Sequence, residues 1–241
     1  MSDNQIEKTR EYAAKYNKKM RLALEAKYTR LQFPPQGIEL ILAQTDHSLE
    51  FIDLYLKSEY PKDRLSKLTD GFLDIQFQIT MLKECHVGLY NSLVHLPQGE
   101  SQIAKTCPYL FLRQLSLDQG SIFQSRALWE KLMNFIYFLE EGLELETKKS
   151  KKTKFFDWVS ENPKWNFLNR YEHWIQKLDN IYRTPEAHKN SRLRKHFIEG
   201  SSPFPEDMLH TLNIIMNTFW PNLKNMLQRV VSPIVYVENQ R

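Results

Sequence analysis

The sequence predicts an all-α fold, a helical bundle of six to eight helices, on three observations. Glycine is scarce, seven in 241 residues, while 41% of residues are apolar and 26% charged. That balance suits a helix-rich chain with a sizeable core better than disorder or a β-sandwich. Leu65, Leu68, Phe72, Ile75, Ile79, Leu82, His86, Leu89 and Leu93 recur in steps of three and four, a seam made for packing against a neighbouring helix. Prolines and polar loops then cut the chain into lengths that suit helices.

Taken in order, Ile6, Ala13, Tyr16, Met20, Leu24 and Leu31 place an amphipathic helix over residues 4–31, ended by Pro34-Pro35. Thr45-Asp46 opens a shorter helix that closes before Pro61. The seam helix follows. His86 lacks a second ligand four residues on and reads as a hydrogen-bonded core histidine rather than a metal ligand. LPQGES at 96–101 is a loop. Ser121 to Leu145 is apolar nearly all round, as a buried helix is. A polar stripe interrupts it: Arg126, Glu130 and Asn134, continued by Tyr137. Spacing of four sets Arg126 beside Glu130. The stripe either faces water, the default, or lines a polar site.

KKSKKTK at 148–154 reads as a basic turn, and FFDWVSENPKW as a short helix broken at Pro163. Leu168, Tyr171, Ile175, Leu178 and Tyr182 mark a further helix. After the loop GSSPFPED, Met208 to Val230 run as a last long helix that Pro221 kinks. The tail SPIVYVENQR is a short strand or frayed. The organisation expected is one domain over residues 1–241 with an N-terminal helical extension over about residues 1–60.

Two cysteines, Cys85 and Cys107, form no paired framework, which suits a reducing compartment. The N-terminus has no apolar signal core, and no apolar run approaches a membrane span. A soluble, cytoplasmic chain away from membranes is the expectation. The net charge of +4 is unevenly spread. Residues 148–195 hold 13 Lys/Arg against five Asp/Glu, and residues 1–31 hold eight against four. Two basic segments of this kind are either a lysine-rich solvated surface or one face that attracts a polyanion. Phe155, Phe156, Trp158, Trp165 and Trp174 lie near the basic stretch. They read as core more readily than as base-stacking residues.

The stretch IYRTPEAHKNSRLRK, residues 181–195, carries the sharpest chemistry. Thr184 suits a helix N-cap, Pro185 the first helical position and Glu186 the first turn. In that frame Arg183 precedes the cap and His188 lies in the fourth helical position, and the two meet across the helix start. Arg183 offers a planar fork for phosphate oxygens, and His188 exchanges a proton near neutral pH. A phosphodiester with an adjacent 2′-hydroxyl is a fitting substrate. No carboxylate cluster or HExxH is present to hold a metal, and the chemistry needs neither metal nor cofactor. An exposed Arg and His at a capped helix start is equally an ordinary structural feature.

Arg183-Thr-Pro-Glu-Ala-His188 in an all-α chain resembles the R-x4–6-H motif of the HEPN superfamily. IYRTPEAHKNSRLRK and SRALWEKLMNFIYFLE resemble a bacterial branch of it, with a similarity that spans residues 65–230. The resemblance implies a HEPN-like helical core that dimerises and cleaves RNA without a metal, in toxin–antitoxin or antiviral defence. It implies catalytic roles for Arg183 and His188, with support from Arg126 or Glu130 on an earlier helix. Where many members carry a polar residue such as Asn, Asp or His after the Arg, Thr184 stands here; where one subset carries Tyr two after the His, Asn190 stands here. RNA contacts are expected from Lys148, Lys149, Lys151, Lys152, Lys154, Lys189, Arg192, Arg194 and Lys195. A homodimer is the expected assembly, with an antitoxin or other protein as a further partner. The alternative is a non-catalytic RNA-binding module, or a protein-interaction module that uses the seam from Leu65 to Leu93.

Overall fold

The computed structural model describes residues 2–28, 47–94, 108–145, 151–183 and 219–228, without the side chains of 26–28, 86–94, 108–115, 118 and 182. Among the described residues the fold is all-α. Its helices are α1 (Asp3–Tyr28), α2 (His47–Lys57), α3 (Leu65–Val94), α4 (Pro108–Glu141), α5 (Lys151–Glu161), α6 (Glu172–Lys177) and α7 (residues 219–228). Tight 3-10 turns occupy Lys62–Arg64 and Asn166–Tyr171, and a wider π turn occupies Leu178–Arg183. No helix among the described residues is long and apolar enough to cross a membrane.

Helices α3 and α4 form the antiparallel centre of the fold. Asp74 pairs with Lys131 and Gln78 with Gln124, while Gly120 lies against Cys85, so one helix is read upward as the other is read downward. Leu65, Leu68, Phe72, Ile75 and Leu82 of the seam are at most 1% exposed. The described part of the seam is therefore consumed inside the chain. It is not an outward surface for a partner, which removes the basis of the protein-interaction reading over those residues. His86 lies outside the described side chains.

The structure moves the ends of α4. It reaches back to Pro108, well before Ser121, with Gly120 tolerated inside. It ends at Glu141 rather than Leu145. Gly142 adopts a left-handed φ of 72° and donates its N–H to the Phe138 carbonyl at 2.9 Å. The Arg64 guanidinium, held close by the 3-10 turn, donates to the Leu139 and Glu140 carbonyls at 3.1 and 3.2 Å. These are the carbonyls a helix end leaves orphaned, and a cation is favoured beside them. The Glu140 side chain in turn accepts from the Tyr60 hydroxyl at 2.6 Å and the Trp165 indole at 2.9 Å.

The other elements pack around this pair. Helix α1 packs on α2 and α3, and α5 packs on α4 and the second 3-10 turn. The two basic segments thus sit on different helices. Lys151, Lys152 and Lys154 belong to the first turn of α5, not to a turn before it. The helix expected over residues 168–182 is a continuous helical passage whose pitch widens from 3-10 through α to π. Phe51 stacks on Phe72 at 4.7 Å, and Phe219 and Trp220 of α7 meet Phe72 at 6.5 and 5.3 Å. Phe155, Phe156, Trp165 and Trp174 are buried in the core and Trp158 is half-buried. The loop expected at 96–101, the part of the last helix expected before residue 219 and the C-terminal tail lie outside the described residues.

Two substitutions test these elements. Gly142→Ala forces a Cβ into a left-handed position and against the Arg64 guanidinium. It is expected to cost about 1–3 kcal/mol of unfolding free energy, measured by urea denaturation. Burial lowers the Lys83 ammonium to about 8 from its ordinary 10.5. Between those values the unfolded chain binds more protons, so stability rises with pH. Burial raises the Tyr55 phenol from 10.0 to about 12, and burial pushes Tyr16 and Tyr60 in the same direction. Above pH 10.0 the unfolded chain loses tyrosine protons first, and stability falls. The urea midpoint should rise from pH 8 towards 10 and then decline, and Lys83→Met should flatten the rise while leaving the decline.

Candidate functional site

The polar stripe of α4 and the π turn after α6 meet at one carboxylate. Ile175 and Leu178 are wholly buried, so the passage that carries them is pinned to α4. The next residue, Asp179, is turned towards Arg126. Trp129, one turn beyond Arg126 on α4, packs against Tyr171, Trp174 and Phe156 with centroids 5.9, 6.4 and 6.2 Å away. This aromatic cluster fixes the distance between the two layers. It also leaves the polar edge of Trp129, Trp174 and Tyr171 buried without hydrogen-bond partners among the described residues.

Arg126 Nε lies 2.9 Å from Asp179 Oδ1, and Lys152 of α5 donates to Oδ2 at 3.2 Å. Arg183 Nη1 lies 3.8 Å from Oδ1. Arg126 Nη2 also lies 3.2 Å from Glu130 Oε1, one turn along α4. The side chains of Arg126 and Asp179 are 11% and 12% exposed, against 39% for Arg183. Arg126 Nε and Asp179 Oδ1 find no well-aligned hydrogen-bond partner among the described residues. Their contact is close but ionic, without the directed bond that best repays desolvation. The hub holds three cations and two anions. Arg183 and Glu130, at 39% and 47% exposed, are the parts of it that reach towards solvent.

The structure brings together four residues singled out in the sequence: Arg183, Arg126, Glu130 and Lys152. The stripe was expected by default to face water. Arg126 is instead buried, because the second layer of helices closes over it. Lys152, expected at RNA, is engaged by Asp179. Lys154 is exposed on α5, and Lys151 lies at the edge of a separate cleft. His188, Thr184, Pro185, Lys148, Lys149, Lys189, Arg192, Arg194 and Lys195 lie outside the described residues.

Asp179 is the residue that sequence reasoning passed over. Its signal was an acid enclosed by apolar Leu178 and Ile181, four residues before Arg183 and so positioned to pair with it. No protein-family model, curated protein or solved structure matches the chain.

Removing the central carboxylate strands buried positive charge. Asp179→Asn is expected to lose about 3 kcal/mol of unfolding free energy in chemical denaturation. Replacing the pair with apolar side chains, Asp179→Leu with Arg126→Met, should cost markedly less than the sum of the single changes.

Proposed function

We propose that the chain is a metal-independent endoribonuclease of HEPN type, with Arg183 and His188 as the pair that acts on the phosphodiester. The observation that carries this reading is the convergence of Arg183 with Arg126 and Glu130 through Asp179. Charged groups of an earlier helix thereby steady the arginine of the motif. Arg183 is held at one terminal guanidinium nitrogen by a long ion pair, yet is accessible enough to meet a phosphate. A guanidinium fork set in this way suits the equatorial oxygens of a phosphorane.

In this mechanism His188 takes the 2′-hydroxyl proton, and the 2′-oxygen attacks the adjacent phosphorus. The bond to the 5′-oxygen breaks and leaves a 2′,3′-cyclic phosphate. The departing 5′-oxygen needs a proton, and a second His188 across a two-fold dimer supplies it. The acid–base pair is then assembled by two copies of one motif.

A second reading, a non-catalytic RNA-binding module, is favoured by the Asp179–Arg183 contact itself. That ion pair gives Arg183 a structural role that needs no chemistry.

The two readings separate on cleavage of a labelled mixed-sequence RNA in excess EDTA. The nuclease reading expects cyclic-phosphate ends from the wild type. It also expects at least about a 100-fold lower rate for His188→Ala and for Arg183→Ala. Binding without cleavage by the folded wild type, or cleavage unchanged by His188→Ala, would replace the nuclease with the binding module.

A further inference from the structure

A cleft of about 390 Å³ opens between α3, α4 and the start of α5, apart from the Asp179 hub. Its volume lies in the range of small-molecule sites. One wall is apolar, built from Leu68, Phe135, Phe138 and Leu145. At Gly71 the backbone of α3 comes so close to the Phe135 ring that a Cβ there would stand 3.2 Å from it. Glycine thus sets the spacing of the two helices along this wall.

The charges at the cleft are Lys67, Lys131 and Lys151 against Asp74 and Glu144. Lys67 pairs with Glu144, and Lys131 with Asp74 at 2.5 Å. Both acids are well exposed at the rim, at 78% and 62%. Lys151 approaches no carboxylate closely enough for an ion pair among the described residues, though with Lys67 its charge helps to lower the Glu144 carboxyl. Lys151 stands in the first described turn of α5. The Asn134 amide lines the same space and offers both a donor and an acceptor.

We propose that this cleft binds one ribonucleotide. The base lies against the apolar wall beside Phe138, whose ring carries the Lys67 ammonium 4.6 Å from its centroid, with an edge at the Asn134 amide, and the phosphate is held by Lys131 and Lys151. An apolar wall with a ring, one two-way amide and a surplus cation is the chemistry that a nucleobase and its phosphate require. The cleft also lies on the stripe that carries the hub. Asn134 is eight residues from Arg126, about 12 Å along the axis, within reach of a single strand that occupies both. The choice of a ribonucleotide rests on the RNA reading; the cleft geometry does not.

The test is calorimetric titration of the full chain with the four ribonucleoside 5′-monophosphates, their nucleosides and inorganic phosphate. At least one monophosphate should bind ten times or more tighter than either its nucleoside or inorganic phosphate. Lys131→Gln with Lys151→Gln should weaken it at least tenfold. Phe138→Ala should erase the advantage over inorganic phosphate. If Phe138→Ala does not fold by circular dichroism, Asn134→Leu, at a half-buried position, provides the same comparison. Monophosphates that bind no tighter than inorganic phosphate, or that ignore these substitutions, overturn the proposal. Nucleotide binding without RNA cleavage leaves the cleft assignment standing and removes only the nuclease. Cleavage without nucleotide binding does the reverse.

Discussion

The close antiparallel contact between α3 and α4 is the surface against which the other described elements are set. It is close because glycine stands where the helices approach. Gly71 faces the Phe135 ring and Gly120 faces the Cys85 sulfur, and a Cβ at either would stand 3.2–3.3 Å from its neighbour. Between these points the core is filled by Leu68, Phe72, Ile75, Leu128, Leu132 and Phe135, and burial of each such side chain contributes about 1.5–3 kcal/mol. Helix α7 uses the same pair as its floor, through Phe219 and Trp220 against Phe72. The fixed axis of α4 then decides where the polar stripe can point.

That stripe explains why so much charge sits in a half-buried place. A carboxylate and a guanidinium taken out of water lose several kcal/mol each, and one close contact without good alignment repays only part of that. Asp179 offsets the loss by meeting Lys152 on its other oxygen and Arg183 at its edge. Three elements remote in sequence, α4, α5 and the π turn, are thus tied at one oxygen pair. A π turn is rare and is found often at functional positions. Here it carries Arg183, the residue with most to do in the proposed chemistry, and the carboxylate that restrains it.

The sequence revealed what periodicity controls. The seam from Leu65 to Leu82 was readable because strict three–four spacing has one physical use, and the structure buries it. The early half of α4 was not readable. Its apolar residues are diluted by polar ones, and Gly120 resembles a break unless the close approach of Cys85 is known. The end of α4 was missed for a related reason. Leu145 stays buried, so the apolar pattern runs past the point where Gly142 turns the chain. In the site, the stripe and Arg183 were visible as residue types at meaningful spacing. Their meeting at Asp179 was not, because it joins residues 126, 152 and 179 through packing that no local pattern encodes.

The same helix surface thus carries two different solutions to a polar stripe. At Arg126 the second layer of helices closes over the charge and the chain supplies its counter-ion from within. Two turns on, at Asn134, no described helix covers the groove, and the acids sit outside at its rim. A half-buried lysine that keeps its ammonium in water loses little by waiting, so an open cationic cleft costs the fold little. A buried hub that positions Arg183, with an open cleft about 12 Å along one rigid helix, sets two anion-favouring points at a fixed separation. A flexible strand with a charge on every unit is the kind of molecule able to use both, since holding the first phosphate raises the effective concentration of the next.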